Sequence, residues 1–404
     1  MAKLESDSKF TLYLLAVIAG VSVANTYYLQ PLLYVISRSF SQDPKTIGTL
    51  VTLAQVGYAL GLATLVPLAD RISKRTIISF GLAIAATISL FQSLTTNFIL
   101  FEVAVFLVGT VSIVAQVAVA FSATVSTHEG RGSAVSKVMA GLLSGILLAR
   151  TAAGVIAEVA GYKTVYLSAA VAGIALAIVA WLKLPSDQPS HTLSYPKLLS
   201  STAKTFLHSK LLRRRAYFGA LGFAGFSIFW TVLAPYLSIA PFNLNTVEIG
   251  FIGIAGLAGV AAARVAGWAV DKGYARISTP GSWAIIAGSF IALYLARHSL
   301  LAIVIVAATL DLGIQGIHIT NQSIIYRISP DSQARITTAY MGTYFIGGAI
   351  GSALATVTYA NFQYAGTALL GVGVSFLGIL LWFFGRKKEA ALIQRMGGLQ
   401  PDRT

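Results

Sequence analysis

Apolar residues run along this chain in windows of about 20, enough to cross a bilayer core at ~1.5 Å per residue, with short polar turns between them. Twelve such windows occur, and the first six cover residues 10–36, 46–66, 76–96, 98–126, 135–160 and 162–183. One composition break divides the series, the Ser/Pro/Thr-containing stretch from Pro185 to Pro196. After it, Leu199, Ala203, Leu207 and Leu211 recur at helical spacing with Lys197, Lys204 and Lys210 between them, which predicts an amphipathic helix on the membrane surface. Arg213, Arg214 and Arg215 then anchor the seventh span. The expected fold is therefore an all-α membrane protein of 12 transmembrane helices.

Its second half repeats its first. Pro31 answers Pro235, Ile47-Gly48 answers Ile249-Gly250, and Asp70 answers Asp271, at offsets of 204, 202 and 201 residues. This predicts two pseudo-symmetric six-helix bundles, residues 1–183 and 216–404 with its terminal tail, joined by a linker over 184–215. Six is even, so both halves enter from one face and are related by an axis along the membrane normal.

With 56% hydrophobic and 11% charged residues and a mean hydropathy of +0.76, little chain remains for a domain outside the membrane. The net charge of +15 would suggest nucleic acid in a soluble protein, but its placement points elsewhere. Of 29 Lys and Arg, 23 fall on the face that holds both termini, against Arg38, Lys45, Lys163 and Arg297 on the other. That asymmetry predicts cytoplasmic termini, contact with anionic membrane lipids, and no nucleic-acid partner. Zero cysteines exclude disulfides and thiolate metal sites. The first span runs on into Asn25-Thr-Tyr-Tyr28 rather than a small-residue cleavage site, so no cleavable signal is expected.

The polar exceptions inside the spans carry the candidate chemistry. From Ser299 to Arg327, Asp311, Gln315, His318 and Gln322 are spaced 4, 3 and 4 apart and so share one helical face. Each would cost several kcal/mol or more against hydrocarbon, so this face looks into protein or water. Span 5 carries Arg150, which needs a partner, an anion or water, and Arg150 and Asp311 lie at similar depth, roughly 15–18 Å in. Asp311 is the expected proton carrier and Arg150 the charge that modulates it. Asn25, Tyr27, Tyr28 and Gln30 in span 1, Gln55 in span 2, and Gln116 in span 4 are expected to line a solute site. So are Trp230, Tyr236, Gln315, His318, Tyr340 and Tyr344. Pro31 removes a backbone bond and is expected to kink span 1. Spans 3 and 6 are nearly featureless and read as lipid-facing. Gly57 and Gly61, Gly141 and Gly145, and Gly347 and Gly351, together with a small-residue face from Gly253 to Gly267, suggest that spans 2, 5, 8 and 11 form a sliding seam between the halves.

Twelve spans in two like halves, the turn after span 2 and a glycine-rich span 5 resemble the major facilitator superfamily over almost the whole chain. Within it, the resemblance is to the bacterial twelve-helix drug:proton antiporter branch of efflux permeases. The family's turn reads Gly-x-Leu-Ala-Asp-Arg-x-Gly-Arg-Lys; here Val66-Pro-Leu68-Ala-Asp70-Arg71-Ile-Ser73-Lys74-Arg75 keeps the acid and bases and replaces both glycines. The resemblance implies that Asp70, Arg71 and Arg75, with Asp271 of the repeat copy, latch the halves in one state. The antiporter motif is met by Gly132, Gly141 and Gly145, whereas Ile146, Ala149 and Arg150 stand where Pro, Gly and Gly are expected. Val105 occupies the place of the family's relay arginine in span 4, so the coupling residues are not inherited from the family.

The resemblance implies a monomeric secondary active transporter of the bacterial inner membrane that moves a small-molecule substrate by alternating access, most simply by proton-coupled efflux of drugs or metabolites, with no cofactor and no metal. Two other readings compete. Arg150 would serve as an anion anchor for organic anions or amphipathic lipids, since guanidinium offers forked donors. Alternatively the chain would be a membrane receptor or assembly subunit without turnover. An intramembrane enzyme is disfavoured, because no His and acid pair stands within one helical turn and no nucleophile-elbow motif occurs. Asn321-Gln-Ser323 matches a glycosylation pattern inside a span, where it is a chance match.

Overall fold

The computed structural model describes residues 2–126, 130–187, 195–256, 275–328 and 333–397. All regular structure among them is helical: α1 (Ala2–Tyr27), α2 (Leu29–Ser39), α3 (Thr49–Thr64), α4 (Lys74–Leu94), α5 (Phe98–Val111), α6 (Val114–Thr124), α7 (Arg131–Ala160) and α8 (Tyr162–Lys183). Then come α9 (Tyr195–His208), α10 (Lys210–Leu237), α11 (Thr246–Ile252), α12 (Ala275–Ala296), α13 (Leu300–Ile325) and α14 (Gln333–Gly397). Helices satisfy their own backbone groups, which is what a segment in hydrocarbon requires. Side chains set where several begin: Asn97 Oδ1 accepts from Leu100 N at 3.1 Å, Ser299 Oγ from Ala302 N at 3.3 Å, and Asn245 forms a reciprocal capping box with Glu248. Gly161, at φ +81°, makes the tight reversal between α7 and α8 that a Cβ would strain.

Ten helical stretches among the described residues are long and apolar enough to cross a membrane. The last, Arg335–Lys387, is 53 residues long and is interrupted at Gln363, so it contains the predicted spans 11 and 12. Span 8 enters as α11 and a short 3-10 turn, Gly253–Gly256, and then leaves the described residues. The hydrogen-bond ladder of span 1 is interrupted between α1 and α2 at Tyr28, three residues before Pro31, as the missing backbone donor predicts, while Tyr28 keeps helical angles, φ −55° and ψ −36°. Span 4 is likewise divided between α5 and α6 at Ser112-Ile113, which the sequence did not signal.

The chain forms two compact units: Met1–Leu199 with Trp230–Ile254, and Ser200–Phe229 with Ala255–Thr404. In unit one, Phe40, Phe98, Phe101, Tyr162 and Tyr166 form an aromatic cluster with centroids 5.3–6.4 Å apart. The paired glycines of spans 2, 5 and 11, expected at a seam between halves, pack inside a unit instead, whereas Gly154 of span 5 meets Gly250 at the start of span 8, a pair of spans that the seam joins. A Cβ on Gly57 would lie 2.1 Å from Phe106 O; on Gly145, 2.3 Å from Gly20 O; and on Gly351, 2.5 Å from Ala224 O. Small residues permit close approach by any neighbouring helix, so spacing alone does not name the partner. The same packing recurs with the repeat, since Ala16 and Gly20 face Gly141 and Gly145 as Ala220 and Ala224 face Gly347 and Gly351.

α4 and α8 pack together and expose Phe80, Ile84, Val171 and Ile178, as expected of spans 3 and 6, yet each turns a polar side chain inward, Gln92 and Tyr166. In the linker, α9 ends at His208 and α10 begins at Lys210, so Leu211 belongs to the next helix; Leu198 is the buried residue of α9 and Leu207 is 62% exposed.

Candidate functional site

Unit one centres its chemistry on Arg150. α7 carries it into the protein, where it is 2% exposed. Its Nε donates to Gln30 Oε1 at 2.7 Å, and its guanidinium lies 3.9 Å from the Trp230 ring centroid and 5.2 Å from that of Tyr27. A guanidinium over an indole gains cation–π attraction. α2, which continues span 1 beyond Tyr28, carries Gln30 to this place, and Gln30, Pro31, Arg150, Trp230, Leu233, Ala234 and Ile249 line a small cavity. α11 and the turn after it come close because they present glycine: a Cβ on Gly250 would lie 2.8 Å from Arg150 O, and one on Gly253 3.0 Å from the Cβ of Arg150. Thr151 Oγ1 donates to Gly250 O at 3.1 Å, and Thr246 Oγ1 to Glu158 Oε2 at 2.6 Å, which secures the same two helices. Beside the cage, α1 and α7 form an open apolar groove of about 390 Å³, lined by Tyr13, Val17, Tyr28, Ser144 and Leu148 among others.

Unit two holds a second polar centre. Asp311 is buried in α13 at 7% exposure, and Gln315 is half-buried one turn on. His318 Nδ1 lies 3.1 Å from Tyr340 Oη, its ring packs 4.8 Å from that of Tyr344, and Tyr344 stacks on Phe223 at 4.1 Å. Asn321 Nδ2 donates to the same Tyr340 oxygen at 3.4 Å, and Asn321 Oδ1 accepts from Arg215 Nη1 at 3.2 Å. Arg215 also donates to Thr279 Oγ1 at 3.0 Å and pairs with Glu389, whose other oxygen lies 2.8 Å from Arg214 Nε. Arg215, Asn321, Thr279 and Glu389 were absent from the sequence-derived site: Arg215 resembled a surface anchor and Glu389 a tail residue. Three arginines in a row at a span's start were the only available signal.

Residues 15–317 match the profile described as Major Facilitator Superfamily. The chain belongs to that superfamily. An uncharacterized transporter, YgaY, of Escherichia coli O157:H7 is 40% identical over 379 residues, covering 94% of this chain and 96% of its own length. A probable transporter of Streptomyces coelicolor, SCO4007, is 26% identical over 367 residues, 89% of this chain and 84% of that one. The crystal structure of a bacterial homologue of the human lysosomal transporter Spinster, inward-facing and unoccupied, has a TM-score of 0.75 at 13% identity over 98% of this chain and 99% of that one; this likeness concerns the fold. The protein is a multi-pass membrane transporter of this superfamily.

The other sequence-derived residues are distributed as follows. Gln55 is buried on α3, and Gln116 Nε2 donates to Tyr58 Oη at 3.4 Å. Tyr236 is buried beside Phe242, 5.5 Å between centroids. Asn25 lines a separate cavity with Gln92 and Tyr166 rather than the Arg150 cavity. At the superfamily's turn, Arg71 is exposed and Arg75 lies 4.8 Å from the Trp181 centroid. Asp70 ends a short 3-10 helix, its side chain outside the described residues, as is all of Asp271. The ion pair formed there is one the sequence did not foresee. Asp187 Oδ2 lies 2.9 Å from Lys74 Nζ, and its Oδ1 accepts from Ser73 Oγ at 2.7 Å and Lys74 N at 2.8 Å, which caps α4. Burial pushes the Asp187 carboxyl up, but these hydrogen bonds and the Lys74 ammonium outweigh it and hold it below the usual carboxylate range.

Proposed function

We propose that this transporter moves a small organic solute across the bacterial cytoplasmic membrane by alternating access, as a monomer with both termini cytoplasmic, and that protons drive the solute outward. Two six-span bundles, 1–183 and 216–404, linked through 184–215, would rock about the solute site. The reading rests above all on Arg150, a buried cation that sits at mid-span on two aromatic faces and one amide oxygen. Its forked donors suit a carboxylate or phosphate, and the aromatic faces and the α1/α7 groove suit an apolar body. Asp311 is the proton carrier in this scheme, a carboxyl buried within a span, where an ionisable group marks a functional position. Asp70, Arg71, Arg75 and Asp271 form the latch.

Purified protein in liposomes under an imposed pH gradient, screened with neutral, cationic and anionic compounds, tests the reading. Flux should follow the gradient, and Asp311→Asn should abolish the proton dependence while insertion and fold persist. Full activity of that variant with an unchanged pH profile removes Asp311 from the mechanism. Flux of anions independent of any pH gradient favours the second reading, an organic-anion or amphipathic-lipid carrier anchored by Arg150. No flux of any solute under any gradient favours a receptor or assembly subunit.

A further inference from the structure

Among the polar side chains that spans 3 and 6 bury, Gln92 and Tyr166 reach the same place. Gln92 of α4 is 2% exposed and Tyr166 of α8 is 3% exposed. They line a cavity closed by Asn25, Thr26 and Leu29 from span 1, Ala54 from α3, and Val105, Val108 and Gly109 from α5. Neither Gln92 Oε1 nor Tyr166 Oη has a hydrogen-bond partner within the protein. The Tyr166 ring is fixed by edge contacts to Phe101 and Tyr162, centroids at 5.5 and 6.4 Å, so its hydroxyl cannot swing far to find one.

An orphaned buried donor or acceptor costs about 1–3 kcal/mol, and here two such residues line one cavity. The enclosed space accommodates about one water molecule, and the wall offers a phenol donor, an amide acceptor and the amide of Asn25. Every lining residue is uncharged, so an ion would be held there without a countercharge.

We propose that this cavity is a built water site, in which one water accepts from Tyr166 Oη and donates to Gln92 Oε1 and to the amide oxygen of Asn25. The water joins spans 3 and 6 to span 1 directly below its break at Tyr28, so it supports the helix whose continuation carries Gln30. Asn25 is then a water ligand on the side of span 1 away from the solute site.

The sign of a stability change decides the matter. Where a water satisfies both groups, Tyr166→Phe and Gln92→Leu each remove one of its partners and lower the melting temperature in detergent by about 1–3 °C. The double variant then melts well above the additive expectation, because both singles lose the same water. In a dry cavity each substitution deletes an orphaned polar atom, so unchanged or raised melting temperatures, or additive losses, overturn the proposal. Should either variant fail to fold, a wild-type structure that resolves other buried waters serves instead. A density peak within hydrogen-bond distance of Gln92 Oε1 and Tyr166 Oη supports the site, and its absence overturns it. A wild-type melting temperature that changes when sodium replaces potassium, with the change lost in Gln92→Leu, assigns the cavity to a cation instead of water.

Discussion

Each unit buries an arginine, and the two are held by different means. Arg215 of unit two is pinned by a carboxylate, Glu389, and by the oxygens of Thr279 and Asn321; Arg150 of unit one lies on Trp230 and Tyr27 with Gln30 at its edge. A carboxylate in direct contact fixes a cation and resists exchange, because separating the pair leaves two charges in low dielectric. An aromatic face holds a cation with a weaker, less directional attraction, about 0.5–2 kcal/mol. The first arrangement suits a staple joining helix ends, and the second suits a site that changes partner during a transport cycle.

The comparison breaks most clearly on function. Arg150→Lys keeps the charge but loses the fork and the stacking plane, and should reduce solute flux roughly 10-fold to 100-fold. The thermal midpoint should stay near that of the wild type; flux within twofold of wild type would remove Arg150 from the solute site. On the other side, Glu389→Gln leaves Arg215 without its carboxylate and should destabilise the protein by about 3–5 kcal/mol. Thermal or denaturant unfolding in detergent reads this, and a midpoint equal to the wild type's would show that the pair is no staple. Tyr340→Phe removes the oxygen shared by His318 and Asn321 and should cost about 1–2 kcal/mol, with transport changed less than by Arg150→Lys.

The smallest effect belongs to Asp187. Its folded pKa is depressed, so its contribution is present above the ordinary carboxylate pKa of about 3.9 and disappears as pH falls through the lower folded value. Asp187→Asn should therefore lower the melting temperature by a constant small amount from pH 5 to 8 and converge with the wild type in strong acid. A gap that widens instead as pH falls would show that the carboxylate destabilises the cap.

Parts of this site were legible before any coordinates. Asp311, His318 and Arg150 stand out because an ionisable group in a span is expensive wherever it lies, and that cost is written in the sequence. Pro31 announced the break in span 1 for a similarly local reason, a missing donor. Asp187 and Glu389 were not legible, because a carboxylate in a linker or tail has no local signature, and its value comes from a base 113 residues away for Asp187 and 174 for Glu389. Gln92 and Tyr166 were passed over for the same reason, as uncharged polar residues in spans whose outer faces are apolar.

What the sequence determined by itself was the solvent and the architecture it forces: apolar windows of spanning length, broken by turns and repeated after about 200 residues, can only become a helical membrane bundle. Tertiary structure alone decided the pairings. It set Arg150 on Trp230, spent the glycine pairs inside units, and placed Asn25 at one cavity with Gln92 and Tyr166. Hydrophobicity is a property each residue carries on its own, whereas a contact depends on the rotation and crossing of two helices, which no single stretch of chain encodes.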